Sequence, residues 1–286
     1  MTSKRYGLIT DFVAWQLLGK DAATFLQGQF TCDVRKLTPG AAIPGACCDH
    51  KGRVQFNGWI GQTPENFILL IPSSIAQSAL QHLNKFAIFS KIKFECKANF
   101  AGLNFIGPEL VQWDFQKIIH GQATATMHWY FGESTDIQPL QLALSKVSQE
   151  INLPELQRQR ILNRLVFIEP GAQGLFTPQM IELEKWGCIS FNKGCYVGQE
   201  VVAKTQYLGQ LKRHLHTIKW NGSTNPKIGG ALTNTQKAQV GNIAATCQNL
   251  EGDWLLLAVI SDHSLNEPIF YQENKCVFSK RDLSLF

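Results

Sequence analysis

The distribution of apolar and polar positions predicts strands interleaved with short helices. Residues 7–18 read as strand material around a turn at Asp11, and Gly19-Lys20-Asp21 then opens a short helix. Asp21 stands at its N-cap, Ala22, Ala23, Phe25 and Leu26 form its apolar face, and Gly28 marks its stop. Ala46–Cys48, the turn Asp49–Gly52 and the run from Val54 to Ile60 read as strand, turn, strand. The unbroken run Phe67–Ile71 predicts a buried strand ended by Pro72. Ser73 or Ser74 is expected to cap a helix whose Ile75, Ala79, Leu80, Leu83 and Phe86 recur at helical spacing, and residues 89–94 return as a strand. This order describes an α+β unit with a mainly antiparallel sheet.

Further on, residues 124–131 read as a strand, and Pro139 opens a helix with Leu140, Ala143, Leu144 and Val147 on one side. Pro154 suits the first position of another helix, with Leu156, Ile161, Leu162 and Leu165 on its apolar side. After residue 206 the texture changes to short strands (215–220, 240–246, 254–260) separated by Gly, Pro and Asn, with Asn221-Gly222 as a hairpin turn. That spacing predicts a small β-barrel or sandwich. The expected organisation is a first α+β unit from 1–44 with 139–206, a second from 45–138, and a β-barrel over 207–286.

Composition narrows the class. A chain of 286 residues, 44% apolar and 17% charged, can build ordinary cores. It holds no 18-residue apolar run, so no spanning helix and no membrane partner are expected. No apolar segment follows the basic start Lys4-Arg5, so the expectation is no signal peptide and a cytoplasmic protein. Nothing resembles a coiled coil, and a monomer is the default. The eight cysteines lack the Cys-x-x-Cys arms of a zinc site, so no metal site is expected. Most of them read as small buried hydrophobes. The formal charge of +5 suits an anionic ligand or weak contact with RNA. The nearest thing to a basic stripe runs from Lys204 to Lys219 through Lys212 and Arg213, and a solvated strand pair explains it better than RNA binding.

One stretch concentrates chemistry: Lys193, Cys195, Tyr196, Gln199 and Glu200 lie within eight residues, with Gly194 and Gly198 between them. The glycines permit tight turns and close approach. Residue types alone leave a working loop and a polar turn with a buried Cys and Tyr equally open. A thiol beside Lys193 is a candidate thiolate, able to attack an electrophile, bind iron or cycle through oxidation.

Lys193, Gly194, Cys195, Tyr196, Gly198, Gln199 and Glu200 fill every fixed position of Lys-Gly-Cys-Tyr-x-Gly-Gln-Glu. In this the chain resembles the YgfZ family, the folate-dependent branch of the glycine-cleavage aminomethyltransferase (T-protein) superfamily. Phe25-Leu26-Gln27-Gly28-Gln29 with Thr31 and Asp33, and Asp49-His50-Lys51-Gly52-Arg53, look like two further stretches of that family, as does Phe176-Thr177-Pro178-Gln179. The resemblance implies an α+β, T-protein-like multidomain fold with a C-terminal β-barrel. It also implies a tetrahydrofolate-binding accessory protein that supports iron–sulfur enzymes and tRNA modification, among them radical tRNA methylthiotransferases. Cys195 would be the functional thiol, with Lys193, Tyr196, Gln199 and Glu200 shaping its loop. Phe12, Gln27, Gln29, Asn57 and Gln179 are the candidate folate contacts. At the two T-protein Asp positions stand Phe56 and Asn57, neither able to exchange a proton, which argues against aminomethyl transfer. Leu156 stands where relatives carry Trp, and residues 161–166 lack the family's Gly and Pro. Two alternatives remain: a folate-dependent aminomethyl or methyl transferase using another acid, and a non-catalytic RNA- or protein-binding module.

Overall fold

Thr10 and Asp11 separate β1 (Arg5–Ile9) from β2 (Phe12–Leu18), and this turn sends the chain from one sheet into another. The computed structural model describes residues 4–108, 113, 117–248 and 252–278. After β2 come α1 (Ala22–Gln29), β3 (Ala42–Cys48), β4 (Val54–Gln62), β5 (Phe67–Pro72), α2 (Ala76–Ala87) and β6 (Lys93–Cys96). Then follow β7 (Phe100–Ile106), β8 (Ile119–Thr124), β9 (Met127–Glu133), α3 (Ser134–Ser145), β10 (Gln149–Glu150), α4 (Leu153–Leu162) and α5 (Gln199–Tyr207). The remainder is β11 (Arg213–Trp220), β12 (Ala231–Thr233), β13 (Gln239–Gln248), β14 (Trp254–Ser261), β15 (Phe270–Tyr271), β16 (Asn274–Lys275) and β17 (Val277–Phe278).

The strands form three sheets, ordered β10-β1-β7-β9-β8, β3-β4-β5-β2-β6 and β16-β15-β12-β13-β14-β11-β17. Among the described strands pairing is antiparallel except between β1 and β10, and one isolated parallel bridge joins Ala41 to His120. The fold is α+β with a nearly closed C-terminal barrel. Strand pairing crosses the boundary expected at residue 44: β2 and β3 share a sheet with β4, β5 and β6, while β1 pairs with β7. The third sheet takes its described strands from Arg213 onward.

β14 shows how the barrel is joined to the rest. Leu255, Leu257 and Val259 belong to the large core shared with both α+β sheets, whereas Leu256, Ala258 and Ile260 fill the barrel interior. Alternate side chains of a strand point to opposite faces, so a strand buried on both sides reads as a continuous apolar run. A smaller core of Tyr6, Leu103, Phe105, Tyr130, Leu140 and Leu144 seats α3 on the first sheet.

Several local expectations are corrected. Asp21 stands at the N-cap of α1 as expected, but its side chain bonds no helix N–H; its Oδ2 accepts from the Lys91 N–H at 2.8 Å, and the helix runs through Gly28 to Gln29. Neither Ser73 nor Ser74 caps α2, which begins after Ile75. β6 starts at Lys93, leaving Ile88 and Phe89 exposed. Pro139 lies inside α3, which starts earlier, where the Ser134 N–H and hydroxyl both bond to the Asn99 carbonyl. Asn221-Gly222 closes no hairpin, because β11 pairs with β14 and β17. At Asp21, at the start of α3 and at β11, a partner distant in sequence outweighed the local signal. Pro154 does lie in the first turn of α4, where the Asn152 side chain accepts from the Glu155 N–H at 3.0 Å. Among the described residues no helix is long and apolar enough to cross a membrane.

Candidate functional site

The three stretches with distinctive composition meet in space. Gly198, at φ +84° just before α5, sits against the Asp49–Arg53 turn, where a Cβ would clash with the Asp49 carbonyl oxygen. Gly52, at φ +67°, faces Val201 from the other side of the same contact. The Val197 N–H donates to the Gly28 carbonyl at 3.2 Å, and Ser190 N–H to that of Thr31 at 2.9 Å, tying the loop to the end of α1. Gly198→Ala combines a left-handed backbone strain with a clash against main chain. A loss of about 2 kcal/mol in urea unfolding is expected.

Lys193 makes the strongest link. Its Nζ donates to the carbonyls of Gln27, Phe30 and Cys32 at 2.7, 2.5 and 2.8 Å. These carbonyls lie at and just beyond the C-terminal end of α1, where helix acceptors lack internal partners and the dipole favours a cation. Burial pushes the ammonium down to about 8. Its three N–H donors are spent on these carbonyls, so Lys193 clamps the loop to the end of α1. Tyr196 is buried with its ring 5.0 Å from Lys193 Nζ, and burial pushes its hydroxyl pKa up. Gln199 opens α5 with its amide 3.5 Å from the Lys193 carbonyl, and Glu200 is exposed in the same turn.

Cys195 projects from this clamped loop and is exposed, as is Cys96; the other cysteines are buried. Burial pushes the Cys32 and Cys48 thiols up to about 12 and holds Cys47 and Cys188 well above the ordinary value. Such thiols are inert.

A cavity of about 440 Å³ opens between the start of β2, the end of β5, α4 and the barrel. Phe12 and Phe167 wall it, Asp11, Arg160 and Glu169 bring charge, and Thr246 reaches it from β13. Arg160 donates to both Asp11 oxygens at 2.6 and 3.2 Å, with its guanidinium over Phe12, Trp129 and Phe167 at 5.2, 4.8 and 5.9 Å. Burial pushes the Glu169 carboxyl pKa up, and the charge on Asp11 adds to this. Thr246 Oγ1 and Arg160 Nε are buried without a hydrogen-bond partner among the described residues.

Of the five candidate folate contacts, Phe12 lines this cavity. Gln27 is committed to the fold, bonding Asp33 Oδ1 and the Val34 N–H, and so is Asn57, which bridges the Val166 carbonyl and the Ile168 N–H. Gln179 donates to the Val202 carbonyl at 2.8 Å beneath α5, and Gln29 is buried at the end of α1. Phe56 is core, edge-on to Phe30 and His82, and Leu156 is fully buried. Sequence reasoning missed Asp11, Arg160, Phe167 and Glu169. The one available signal was polar residues, Gln157 and Arg160, within the amphipathic pattern of α4.

No protein-family model matches the chain. Curated proteins named tRNA-modifying protein YgfZ are similar to it. The one from Colwellia psychrerythraea strain 34H is 29% identical over 226 residues, covering 73% of this chain and 70% of that protein. The one from Escherichia coli O6:H1 is 27% identical over 288 residues, covering 92% and 87%, and that of Klebsiella pneumoniae strain 342 is 28% identical, covering 92% and 86%. Among solved structures, the glycine cleavage system aminomethyltransferase T of Bartonella henselae superposes with a TM-score of 0.72 at 12% identity, covering 98% of this chain and 86% of that one. This second likeness carries the fold.

Proposed function

We propose that this chain is a tetrahydrofolate-binding accessory protein in tRNA modification, supporting iron–sulfur enzymes that methylthiolate tRNA, with Cys195 as its working thiol. The observation that carries the reading is convergence: three separated stretches resembling the YgfZ family form one cluster that leaves Cys195 exposed. Similarity to proteins named as tRNA-modifying gives the biological context.

The cavity suits a folate by size and chemistry. Ligand pockets of this volume take a heterocycle between apolar walls with a few directed polar groups. Phe12 and Phe167 offer ring faces, and Glu169 offers a carboxyl able to match the donor edge of an aminopyrimidinone. Thr246 Oγ1, buried without a partner among the described residues, is a group that a ligand would satisfy. Tetrahydrofolate, when bound, supplies nitrogens that carry a one-carbon unit. Arg160 and Asp11 would fix the wall behind it, and Glu169 would hold or release a proton at its carboxyl oxygen.

Cells lacking the gene are expected to lose methylthiolated tRNA nucleosides, read by mass spectrometry. Wild-type protein should restore them and Cys195→Ala should not. Unchanged nucleosides on deletion, under oxidative stress as well, would end this reading. The transferase alternative draws on one observation, that Glu169 and Asp11 bring carboxylates to the cavity although Phe56 and Asn57 replace the expected pair. Turnover with tetrahydrofolate that is lost in Glu169→Gln would establish it.

A further inference from the structure

α5 carries two large side chains that pack against little. Tyr207 is 66% exposed and Leu208 82% exposed, at the end of the helix that the Cys195 loop opens. Tyr207 meets the ring of Phe191, from that same loop, edge-on at 5.8 Å. Beside them a hollow of about 440 Å³ is lined by Glu200, Lys204, Thr205 and Leu208. Lys204, Lys212 and Arg213 are exposed and make no ion pair among the described residues. Lys51 adds a fourth exposed cation from the turn that packs under Val201. Lys212 follows Tyr207 by five positions, at most about 18 Å of extended chain, so the two lie within the span of a few nucleotides.

Exposed aromatics among unpaired cations are the footprint of single-stranded nucleic acid: bases stack on rings while ammonium and guanidinium groups neutralise phosphates. A protein partner would leave each of these cations needing a matching acid, whereas a polyanion supplies the complementary charge along its whole length. Resting on the reading above, we infer that the end of α5 and the start of β11 form a docking surface for a single-stranded RNA loop, of the kind tRNA presents, beside Cys195. Tyr207 stacks a base, Lys204, Lys212 and Arg213 bind phosphates, and Glu200 accepts from an exocyclic amino group at the hollow.

The test is fluorescence anisotropy of the full chain with a labelled, unmodified tRNA anticodon stem–loop across a salt series. Wild type is expected to bind with strong salt dependence. The triple variant Lys204→Gln/Lys212→Gln/Arg213→Gln should lower the log–log salt slope by about 2, from about 0.7 per phosphate contact. Tyr207→Ala should weaken binding by about fivefold to a hundredfold, and Tyr207→Phe should retain it. Phe89→Ser, at the exposed tip after α2, is the control and should bind as wild type.

The inference is overturned if wild type does not bind the stem–loop, or if the triple variant and Tyr207→Ala bind as tightly as wild type. It is equally overturned if Phe89→Ser loses as much as Tyr207→Ala, or if vesicles of phosphatidylcholine with phosphatidylserine are bound and the RNA is not. Because binding is read on purified protein, a negative result with intact rescue of methylthiolation in cells rejects this surface alone. Failed rescue with intact RNA binding rejects the accessory role alone.

Discussion

Lys193→Met is expected to destabilise the protein by about 3–5 kcal/mol, because three carbonyls around the end of α1 lose a charged donor at once. Methionine fills similar space, so the loss would isolate hydrogen bonding from packing. Arginine should rescue poorly: a planar guanidinium cannot aim three N–H groups at one converging set of carbonyls as an ammonium does. Urea unfolding of the three proteins checks both statements. The reactivity of Cys195 toward a thiol reagent, measured on folded protein, should also rise in Lys193→Met. The clamp fixes the loop from which that thiol projects, and a slackened loop exposes it further. Equal stability and equal thiol reactivity in Lys193→Met would show that the contacts to Gln27, Phe30 and Cys32 contribute nothing.

Arg160→Met is expected to lose a comparable amount, about 3–5 kcal/mol, by leaving a partly buried carboxylate without its cation. Asp11 would then face Glu169 unneutralised across the cavity, two carboxylates where one guanidinium had stood between aromatic rings. A second change, Asp11→Asn, should recover much of the loss, and the double-mutant cycle measures the coupling. Tetrahydrofolate binding, followed by quenching of intrinsic fluorescence, should fall in Arg160→Met and stay low in the double variant. Repair of the charge balance does not restore the wall of the cavity. Recovery of stability without recovery of binding would thus separate the two roles of Arg160. An additive cycle would show that Arg160 and Asp11 act independently despite their 2.6 Å contact.

What could be read from the chain depended on the range of the interactions involved. The strand–turn–strand around Asp49–Gly52 was legible because β-turn chemistry and alternation act within a dozen residues, and it stands as β3 and β4. The buried strand at 67–71 and the first turn of α4 were legible for the same reason. Asp21 and Pro139 misled because the local role each suggests was displaced by contacts distant in sequence. The Lys91 N–H took the carboxylate that would have capped α1, and Asn99 set where α3 begins.

The sequence by itself determined the α+β class, the barrel texture after residue 206, and the loop of Lys193 to Glu200 with its resemblance to the YgfZ family. Local composition, spacing and turn preference suffice for these. Only the tertiary structure decided what the groups do. It turned Lys193 toward α1 and set Asn57 as an internal clamp. It also built a cavity from Asp11 and Arg160, which are 149 residues apart in the chain, with Thr246 from the barrel. A buried charge or amide takes its role from whichever partner satisfies it, and here those partners come from distant strands and helices that packing, rather than local pattern, brings together.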